Sequence, residues 1–400
     1  MSFSSLISHN WKSGLTVALV SIPLSISLAI ASQATPVAGI ITAIWAGLIA
    51  SIVGSSNYNV IGPTGALSGL LASYAITHGS AGLSMLALVT GLFILAVYFL
   101  RLEHYIHYIP MSTIHGFSLG VACIIALNQL NFVLNIQNLP KHEKFIHNLL
   151  ESINHVNNFS VDSLLVFVLF LVALFLSAKV IPHIPSIIIL SPIGIVLGYL
   201  CHNELIAFEC ETLASQFGNV SMHLYQMPIF SFSLSLFINA FTVALIAIVE
   251  TMLSAKMADH MTKTKHNERK EVLGLALANI ISGIVGGIPA TAALARTSLN
   301  IKTGATDKLS QLISSVCIAL ISVFLLRYFS FMPMAVIAAM LVFVAVRMIE
   351  REHFVELYLE DKREFWLAMM VALICVIQDP MIGILCGTVI SLLVLKKKSF

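Results

Sequence analysis

The stretch GGIPATAALARTS, residues 286–298, places Arg296 inside a long apolar region of the chain. A charged side chain within a membrane segment is costly, so it usually marks a functional site or a buried ion pair. The stretch also has a Gly/Pro break followed by small residues, which is typical of a helix that begins inside the membrane. The fold can be predicted from this break and its arginine.

The composition favours a membrane protein. Of the 400 residues, 58% are hydrophobic and only 10% are charged, and the mean hydropathy is +0.94. Soluble domains have about half apolar and about a quarter charged residues. Leu, Ile, Val and Ala dominate without the alternation of a membrane β-barrel, so we predict an all-α polytopic protein in a lipid bilayer. The near balance of 21 basic and 19 acidic residues argues against a nucleic-acid partner.

Polar breaks divide the chain into about fourteen apolar segments, several of them short or interrupted by Gly and Pro. The predicted segments are 13–31, 38–54, 61–77, 82–100, 109–133, 162–180, 184–201, 234–257, 271–286, 289–301, 309–328, 332–348, 364–378 and 381–396.

The distribution of Lys and Arg predicts the orientation of these segments. With the N-terminus inside, most of the 21 cations, including the terminal KKK run, fall on the cytoplasmic side. We therefore expect an even number of spans in the plasma (inner) membrane and both termini in the cytoplasm. The N-terminal MSFSSLISHNWKSG has no clear signal-peptide cleavage site, so the first apolar run is predicted to be retained.

Two polar regions fall on the predicted external side. Residues 134–160 are expected to form a solvated loop, and its three histidines (142, 147 and 155) lack a carboxylate or Cys at metal-ligand spacing. Cys201 and Cys210 flank a second polar loop and could form a disulfide there. The sequence favours free thiols because no second cysteine pair accompanies them.

An interrupted segment occurs in each half of the chain. SSNYNVIGPTGALSG, residues 55–69, is the third of the first seven segments, and the Arg296 stretch is the third of the second seven. Interrupted segments at corresponding positions indicate an inverted-repeat transporter. We predict a 7+7 repeat, with the first half at about 13–201 and the second at about 234–396.

The two breaks together predict an anion site. A helix that begins within the membrane has unpaired N–H groups and a positive dipole end, which suit an anion. Pro63 and Pro289 are expected in the first helical turns, and Arg296 would add positive charge. The small residues Thr64, Gly65, Ala66, Ala290, Thr291, Ala292 and Ala293 would let the anion approach the backbone. The alternative is close helix–helix packing without a ligand.

Glu250 is the acidic residue of the apolar run FTVALIAIVETMLSA. It could pair with Arg296, carry a proton or bind a cation, or form a purely structural ion pair. Ser254 lies four residues further on and is expected to share its helix face.

Three stretches resemble the SulP family of anion transporters, relatives of the vertebrate anion exchangers and prestin. The first is residues 14–66, from GLTVALVSIPLSISLAIASQATPVAG to NVIGPTGA. The second is residues 250–305, with the HNERKE loop and GGIPATAALART, and the third is MPMAVIAAMLVFVAVRMIE at 332–350. The resemblance covers essentially all 400 residues.

The resemblance implies a core domain of spans 1–4 and 8–11 and a gate domain of spans 5–7 and 12–14. Such proteins are usually homodimers that carry sulfate, bicarbonate, chloride or dicarboxylates by an elevator-like movement of the core. Glu250 occupies the family's acidic position and, with Ser254 beside it, is the predicted coupling or proton site. The residues expected around the anion are Leu28, Pro63, Thr64, Gly65, Ala66, Ala292, Ala293, Leu294, Ala295 and Arg296.

Two features depart from the family pattern. Most members end in a cytoplasmic STAS domain, whereas this sequence stops after the last span. We expect either a member that lacks this domain or a piece of a longer protein. Sodium-coupled members have Asp at the position of Glu250 and a hydroxyl residue near Leu294. The sequence therefore favours proton coupling through Glu250, or plain exchange, over sodium coupling.

Other functional classes are less well supported. A nucleobase or organic-anion carrier on the same fold would need several hydrogen-bonding side chains where this chain has Ala292, Ala293, Leu294 and Ala295. A chloride-conducting channel is a further alternative. An enzyme is not expected, because no nucleophile–base pair, metal cluster or GxxxxGK phosphate loop is recognisable. No cofactor is expected, and the predicted ligand is a small inorganic anion, sulfate or bicarbonate.

Overall fold

The structure is a computed structural model, and most of the chain is helical. It describes residues 3–103, 110–136, 139, 142, 145–156, 159–206, 208, 210–218, 225, 232–349, 351–378 and 380–395. The elements before residue 220 are α1 (Phe3–Ala31), α2 (Pro36–Val53), β1 (Ile61–Gly62), α3 (Gly65–His78), α4 (Gly82–Leu100), α5 (Met111–Leu127), α6 (Leu130–Leu134), α7 (Phe145–Asn154), α8 (Val161–Val180), α9 (Ser186–His202) and α10 (Leu213–Phe217).

The later elements follow the same pattern of long helices with one short strand. They are α11 (Leu234–Thr262), α12 (Glu268–Ile284), β2 (Thr291–Ala292), α13 (Leu294–Lys302), α14 (Leu309–Phe329), α15 (Met334–Met348), α16 (Arg351–Glu360), α17 (Lys362–Ile377), α18 (Pro380–Ile390) and a final π-helical turn (Ser391–Leu395).

Local sequence signals determine where several helices begin. Thr35 precedes α2, its side chain accepts a hydrogen bond from the N–H of Ala38, and Pro36 occupies the first turn. The side chain of Ser160 caps α8 and that of Asn267 caps α12 in the same way. These side chains satisfy N–H groups that a helix start leaves without an intrahelical partner.

The helices are long and apolar enough for a multi-pass membrane protein. Seven helical stretches in the described part of the chain meet the length and hydropathy expected of a membrane span. They are Leu6–Ala31, Pro36–Val53, Gly82–Leu100, Met111–Leu134, Val161–Val180, Leu234–Thr262 and Leu309–Phe329. Shorter apolar helices complete the bundle, and the prediction of an all-α polytopic architecture is confirmed.

The helices pack in two groups, and each group combines helices from both halves of the chain. In the first group, α12 packs against α2 and α4, and α14 packs against α1 and α2. In the second group, α17 packs against α5, and α15 packs against α5 and α8. We call these groups the core (α1–α4 and α11–α14) and the gate (α5–α10 and α15–α18). This arrangement agrees with the predicted interleaving of two repeats.

The structure corrects several details of the predicted organisation. The segments predicted at 61–77 and 289–301 each begin with a short extended strand rather than a helix. Helix α7 lies within the predicted external loop, and α10 and α16 lie outside all predicted spans. These three helices were missed because they are short and fall in polar stretches, where the search for apolar runs gives no signal. Cys201 and Cys210, in contrast, are free thiols, which is the state that the sequence favours.

Candidate functional site

The two interrupted segments meet at the centre of the core. Strands β1 and β2 pair antiparallel, with Ile61 opposite Ala292 and Gly62 opposite Thr291. The N–H of Ala293 extends the pairing by donating to the carbonyl of Val60 at 3.2 Å. Because the strands are antiparallel, the chain leaves them in opposite directions. Helices α3 and α13 therefore begin near each other and run apart.

The prediction that Pro63 and Pro289 occupy the first helical turns is wrong. Helix α3 begins at Gly65 and α13 begins at Leu294, so both prolines lie in the extended stretches before them. A residue that precedes proline is disfavoured in helical geometry. The strand pairing satisfies backbone groups of this region, so the chain can remain extended there within a membrane protein.

The starts of both helices lack a side-chain cap. Thr64 precedes α3 and Ala293 precedes α13, and neither side chain accepts a hydrogen bond from the helix. The N–H groups of the first turns therefore receive no capping side-chain oxygen from these residues and carry partial positive charge. Such a helix start can bind an anion through its backbone, and two of them lie at the same strand pair.

Arg296 lies in the first turn of α13 and is 2% exposed. Its Nη2 donates a hydrogen bond to the carbonyl oxygen of Pro63. Its Nη1 lies 2.8 Å from the position that a Cβ on Gly62 would take. The Nε atom is buried and has no hydrogen-bond partner. The arginine therefore fits only because residue 62 has no side chain, a role for Gly62 that sequence reasoning missed.

Glu250 lies on α11 on the other side of the same segment. Its Oε2 accepts a hydrogen bond from the hydroxyl of Thr64 at 3.2 Å. Glu250 and Arg296 are close enough to interact electrostatically, but no direct ion pair between the two is found in the described part of the chain. The positive charge of Arg296 is thus not neutralised by a contacting carboxylate.

The remaining predicted site residues differ in exposure. Gly65, Ala66, Ala292 and Thr64 are buried, whereas Ala293 and Leu294 are partly exposed and Ala295 is exposed. Leu28 is 3% exposed and belongs to the same apolar cluster as Ala66. The site is therefore closed on the α3 side and more open along the start of α13.

Ser254 is engaged behind the site rather than in it. It is fully buried, and its hydroxyl donates to Thr297 at 2.8 Å. The Oγ1 of Thr297 also accepts from the N–H of Val60 at 3.1 Å. These contacts link α11 to Val60, the residue directly before β1. A coupling role for Ser254 stays a prediction.

Polar side chains that the sequence analysis did not single out hold β2 in place. Asn279 on α12 accepts from the N–H of Ala290 and donates to its carbonyl, both at 2.9 Å. Thr251 on α11 accepts from the N–H of Ala292 at 3.2 Å and contacts the hydroxyl of Thr291 at 2.9 Å. A polar residue within an apolar helix is the signal that could have identified Asn279 and Thr251.

Glu271 performs a comparable role for β1. This carboxylate is 2% exposed, and its Oε2 accepts from the N–H groups of Ser55 and Ser56 at 2.8 Å. Its Oε1 accepts from Nδ2 of Asn59 at 2.7 Å. A buried charge is tolerated when hydrogen bonds satisfy it. Glu271 therefore fixes the loop that leads into β1, a role that its place in the HNERKE motif does not reveal.

No group of three or more His, Cys, Asp or Glu side chains suited to a metal ion occurs among the residues that the structure describes. The chemistry available at the strand pair is therefore that of backbone N–H groups, one buried guanidinium and one nearby carboxylate. This combination suits a small anion.

Comparison with known proteins places this geometry in a family. The model of the sulfate permease family matches residues 7–371. YvdB of Bacillus subtilis (strain 168), named as a proposed sulfate transporter, is 34% identical over 383 residues, which cover 94% of this chain and 71% of YvdB. The bicarbonate transporter BicA of Synechocystis sp. is 26% identical over 349 residues, covering 84% of this chain and 60% of BicA.

Solved structures share the fold at lower sequence identity. The transmembrane domain of a cyanobacterial bicarbonate transporter BicA superposes with a TM-score of 0.82 at 21% identity, covering 96% of this chain and 98% of that domain. SLC26A9 superposes with a TM-score of 0.86 at 14% identity, covering 99% of this chain and 66% of SLC26A9.

Proposed function

This chain belongs to the sulfate permease family, and on that premise we propose that it is a secondary transporter of small inorganic anions. Sulfate and bicarbonate are the leading substrates, because relatives named for each match most of the chain. We place it in the plasma (inner) membrane as a homodimer with both termini in the cytoplasm. The orientation is supported by the Lys and Arg distribution, and the dimer by the family resemblance.

The observation that carries this proposal is the position of Arg296. Its guanidinium is buried at the point where two uncapped helix starts meet, and Nε has no partner. A buried cation without a contacting carboxylate is costly unless another anion offsets it. A bound anion would supply that charge and accept hydrogen bonds from the free N–H groups.

The side chains around the site favour a small ligand. Ala292, Ala293, Leu294 and Ala295 have no hydrogen-bonding side chains. The nearby hydroxyls of Thr251 and Thr297 are already engaged with protein atoms. A nucleobase or dicarboxylate carrier, the alternative function, would need free polar side chains to recognise its larger substrate. The site is therefore better suited to a small inorganic anion.

Transport would follow from movement of the core past the gate. The anion site lies within the core, between α3 and α13, whereas α5 and α15 belong to the gate. If the core binds the anion in both of its positions and moves reversibly between them, the anion is carried across the membrane without ATP. This elevator movement is proposed from the division into two helix groups and from the family resemblance.

Coupling would be to protons, or the protein would exchange anions. Glu250 is a titratable group that interacts electrostatically with Arg296, and its contact with Thr64 links it to the start of α3. Sodium is less well supported, because Leu294 and Ala295 supply no side-chain oxygen as a ligand. Proton symport and anion antiport are the two modes to be separated.

The proposal is tested with purified protein in proteoliposomes. Uptake of labelled sulfate and bicarbonate is measured under imposed proton or sodium gradients, with chloride, a dicarboxylate and a nucleobase as competitors. We expect saturable uptake of one inorganic anion that the organic competitors do not block. Uptake of only the organic compounds, or non-saturable anion flux as in a channel, would contradict the proposal.

A further inference from the structure

A cavity lies between parts of the core and the gate on the face predicted to be external. Its volume is about 990 Å³. The core contributes the end of α1 and the second half of α3, and the gate contributes the end of α5 together with α6, α7, α10, the end of α17 and the start of α18. We call this cavity the vestibule. Its wall includes Gly69, Ser73, Ile76, Ile124, Asn128 and Glu211.

The vestibule reaches Gly69 on α3 and Ile124 on α5. Gly65, the first residue of α3, lies one helical turn beyond Gly69 and does not line the vestibule. The vestibule therefore ends about one turn from the helix start that forms half of the proposed anion site.

Ile125 follows Ile124 of the vestibule wall and packs on that helix start. It is 1% exposed, and its Cδ1 packs so closely on Gly65 that a Cβ at residue 65 would collide with it. Sδ of Met348, also from the gate, lies 3.6 Å from the same Cβ position. The neighbouring contact is looser, because Cγ2 of Ile124 lies 3.4 Å from the Cβ position of Gly69, an ordinary packing distance.

We propose that Ile125 is the gating residue that closes the anion site toward the vestibule. This inference rests on the proposed anion site. An apolar constriction blocks a hydrated anion, because the ion cannot pass without losing its water. The closest contact of the seal is the Cδ1 methyl of Ile125, from the gate, against Gly65 of the core. A relative movement of the two helix groups breaks it without unpacking either group.

The same geometry explains why residue 65 has no side chain. A Cβ there would force Ile125 away from the helix start, so the barrier could not close. Gly65 therefore serves two purposes: it leaves the first backbone N–H groups of α3 accessible to an anion, and it provides the surface on which Ile125 rests.

The experiment measures access to a reporter cysteine at the site. Ala66→Cys is introduced, and its reaction with a membrane-impermeant charged methanethiosulfonate is timed in sealed vesicles of each orientation. The native cysteines are accounted for by subtracting the rate of the same protein with Ala66 retained. If the Ile125 contact keeps the path closed nine-tenths of the time, Ile125→Ala raises the rate about tenfold from the vestibule side.

Two further variants make the outcome specific. Ile125→Val removes only the Cδ1 that touches Gly65, so it also raises the labelling rate while retaining most of the packing. Ile124→Ala, on the same helix but already facing the vestibule, leaves the rate unchanged. The proposal is overturned if both Ile125 variants label at the rate of Ile124→Ala, or if all three variants accelerate labelling equally.

Labelling does not require transport, so the gate and the anion site are tested separately. Protection of the reporter cysteine from the reagent by sulfate or bicarbonate reports on the anion site. Accelerated labelling without such protection would leave the gate standing and count against the site. Protection by the anion, together with unchanged labelling in the Ile125 variants, would support the anion site and contradict the gating role of Ile125.

Discussion

The guanidinium of Arg296 donates a hydrogen bond to the carbonyl oxygen of Pro63, although the two residues lie 233 positions apart in the chain. The next residue, Thr64, donates to Glu250. The two charged side chains therefore hold consecutive residues of one segment, and they tie the helix starts of both halves into a single unit. A change in either charge is expected to act on both helix starts.

Gly62→Ala should impair anion uptake by displacing Arg296. A Cβ at residue 62 would lie 2.8 Å from Nη1 of the guanidinium, which is closer than van der Waals contact allows. We expect at least about a tenfold loss in the maximal rate divided by KM, which corresponds to ~1.4 kcal/mol. The measurement is the concentration dependence of uptake in proteoliposomes with equal amounts of inserted protein.

Gly69→Ala is the matched control for this variant. Its Cβ would meet only Cγ2 of Ile124 at 3.4 Å, so it can be accommodated in the helix. We expect its uptake to stay within about twofold of the parent. Equal losses in both variants would mean that a general effect on packing, rather than Arg296, explains the result.

Asn279→Ala should destabilise the protein. The substitution leaves the buried N–H and C=O groups of Ala290 without partners. Each unsatisfied buried group costs ~1–3 kcal/mol, so we expect a clearly lower melting temperature in detergent. Asn239→Ala is the control, because Asn239 is partly exposed and bonds only to Ser235 in its own helix. An unchanged melting temperature for Asn279→Ala would contradict the role given to this side chain.

Glu271→Gln should destabilise the loop that leads into β1. The carboxylate accepts through both of its oxygens, one from the N–H groups of Ser55 and Ser56 and the other from Nδ2 of Asn59. A glutamine amide has only one acceptor oxygen, so it loses one of these two sets of contacts. The expected cost is ~1–3 kcal/mol, measured as increased protease sensitivity near residues 55–59. Glu268→Gln is the control, because its carboxylate lies 3.9 Å from Lys256 at a partly exposed position, and it should behave like the parent.

The sequence predicted the helical architecture well, because apolar runs between polar breaks reflect a requirement of the bilayer itself. It also identified the two interrupted segments that the structure brings together. It placed Pro63 and Pro289 wrongly, because the pairing of β1 with β2 joins segments far apart in the chain and leaves no local signal. The contact of Ile125 with Gly65 was equally unpredictable, since it depends on how the gate lies against the core.

The partners of the charged residues show the same limit. Glu250 and Arg296 were recognised as unusual in apolar runs, and direct pairing was one of the roles considered for Glu250. In the structure, Glu250 instead accepts a hydrogen bond from Thr64, and Arg296 donates one to the carbonyl oxygen of Pro63. A backbone carbonyl carries no signature in the sequence, so such a partner can be found only from the fold.

Glu250→Gln tests how transport is coupled. If Glu250 carries the coupled proton, the variant should lose stimulation by an inward proton gradient and keep anion exchange at equal pH on both sides. The glutamine can still accept from Thr64, so the local geometry is retained. Proton-gradient stimulation as strong as in the parent would exclude Glu250 as the proton carrier, and the absence of stimulation in the parent would favour exchange.

The most direct test of the proposed anion site is uptake of the transported anion by the parent, Arg296→Lys and Arg296→Ala in matched proteoliposomes. Lys keeps the charge but not the planar fork of the guanidinium, so we expect a raised KM. For Arg296→Ala, which removes the cation between the two helix starts, we predict that saturable uptake falls to the level of empty liposomes while the protein stays folded and inserted. Uptake by Arg296→Ala with the KM and maximal rate of the parent would contradict the account.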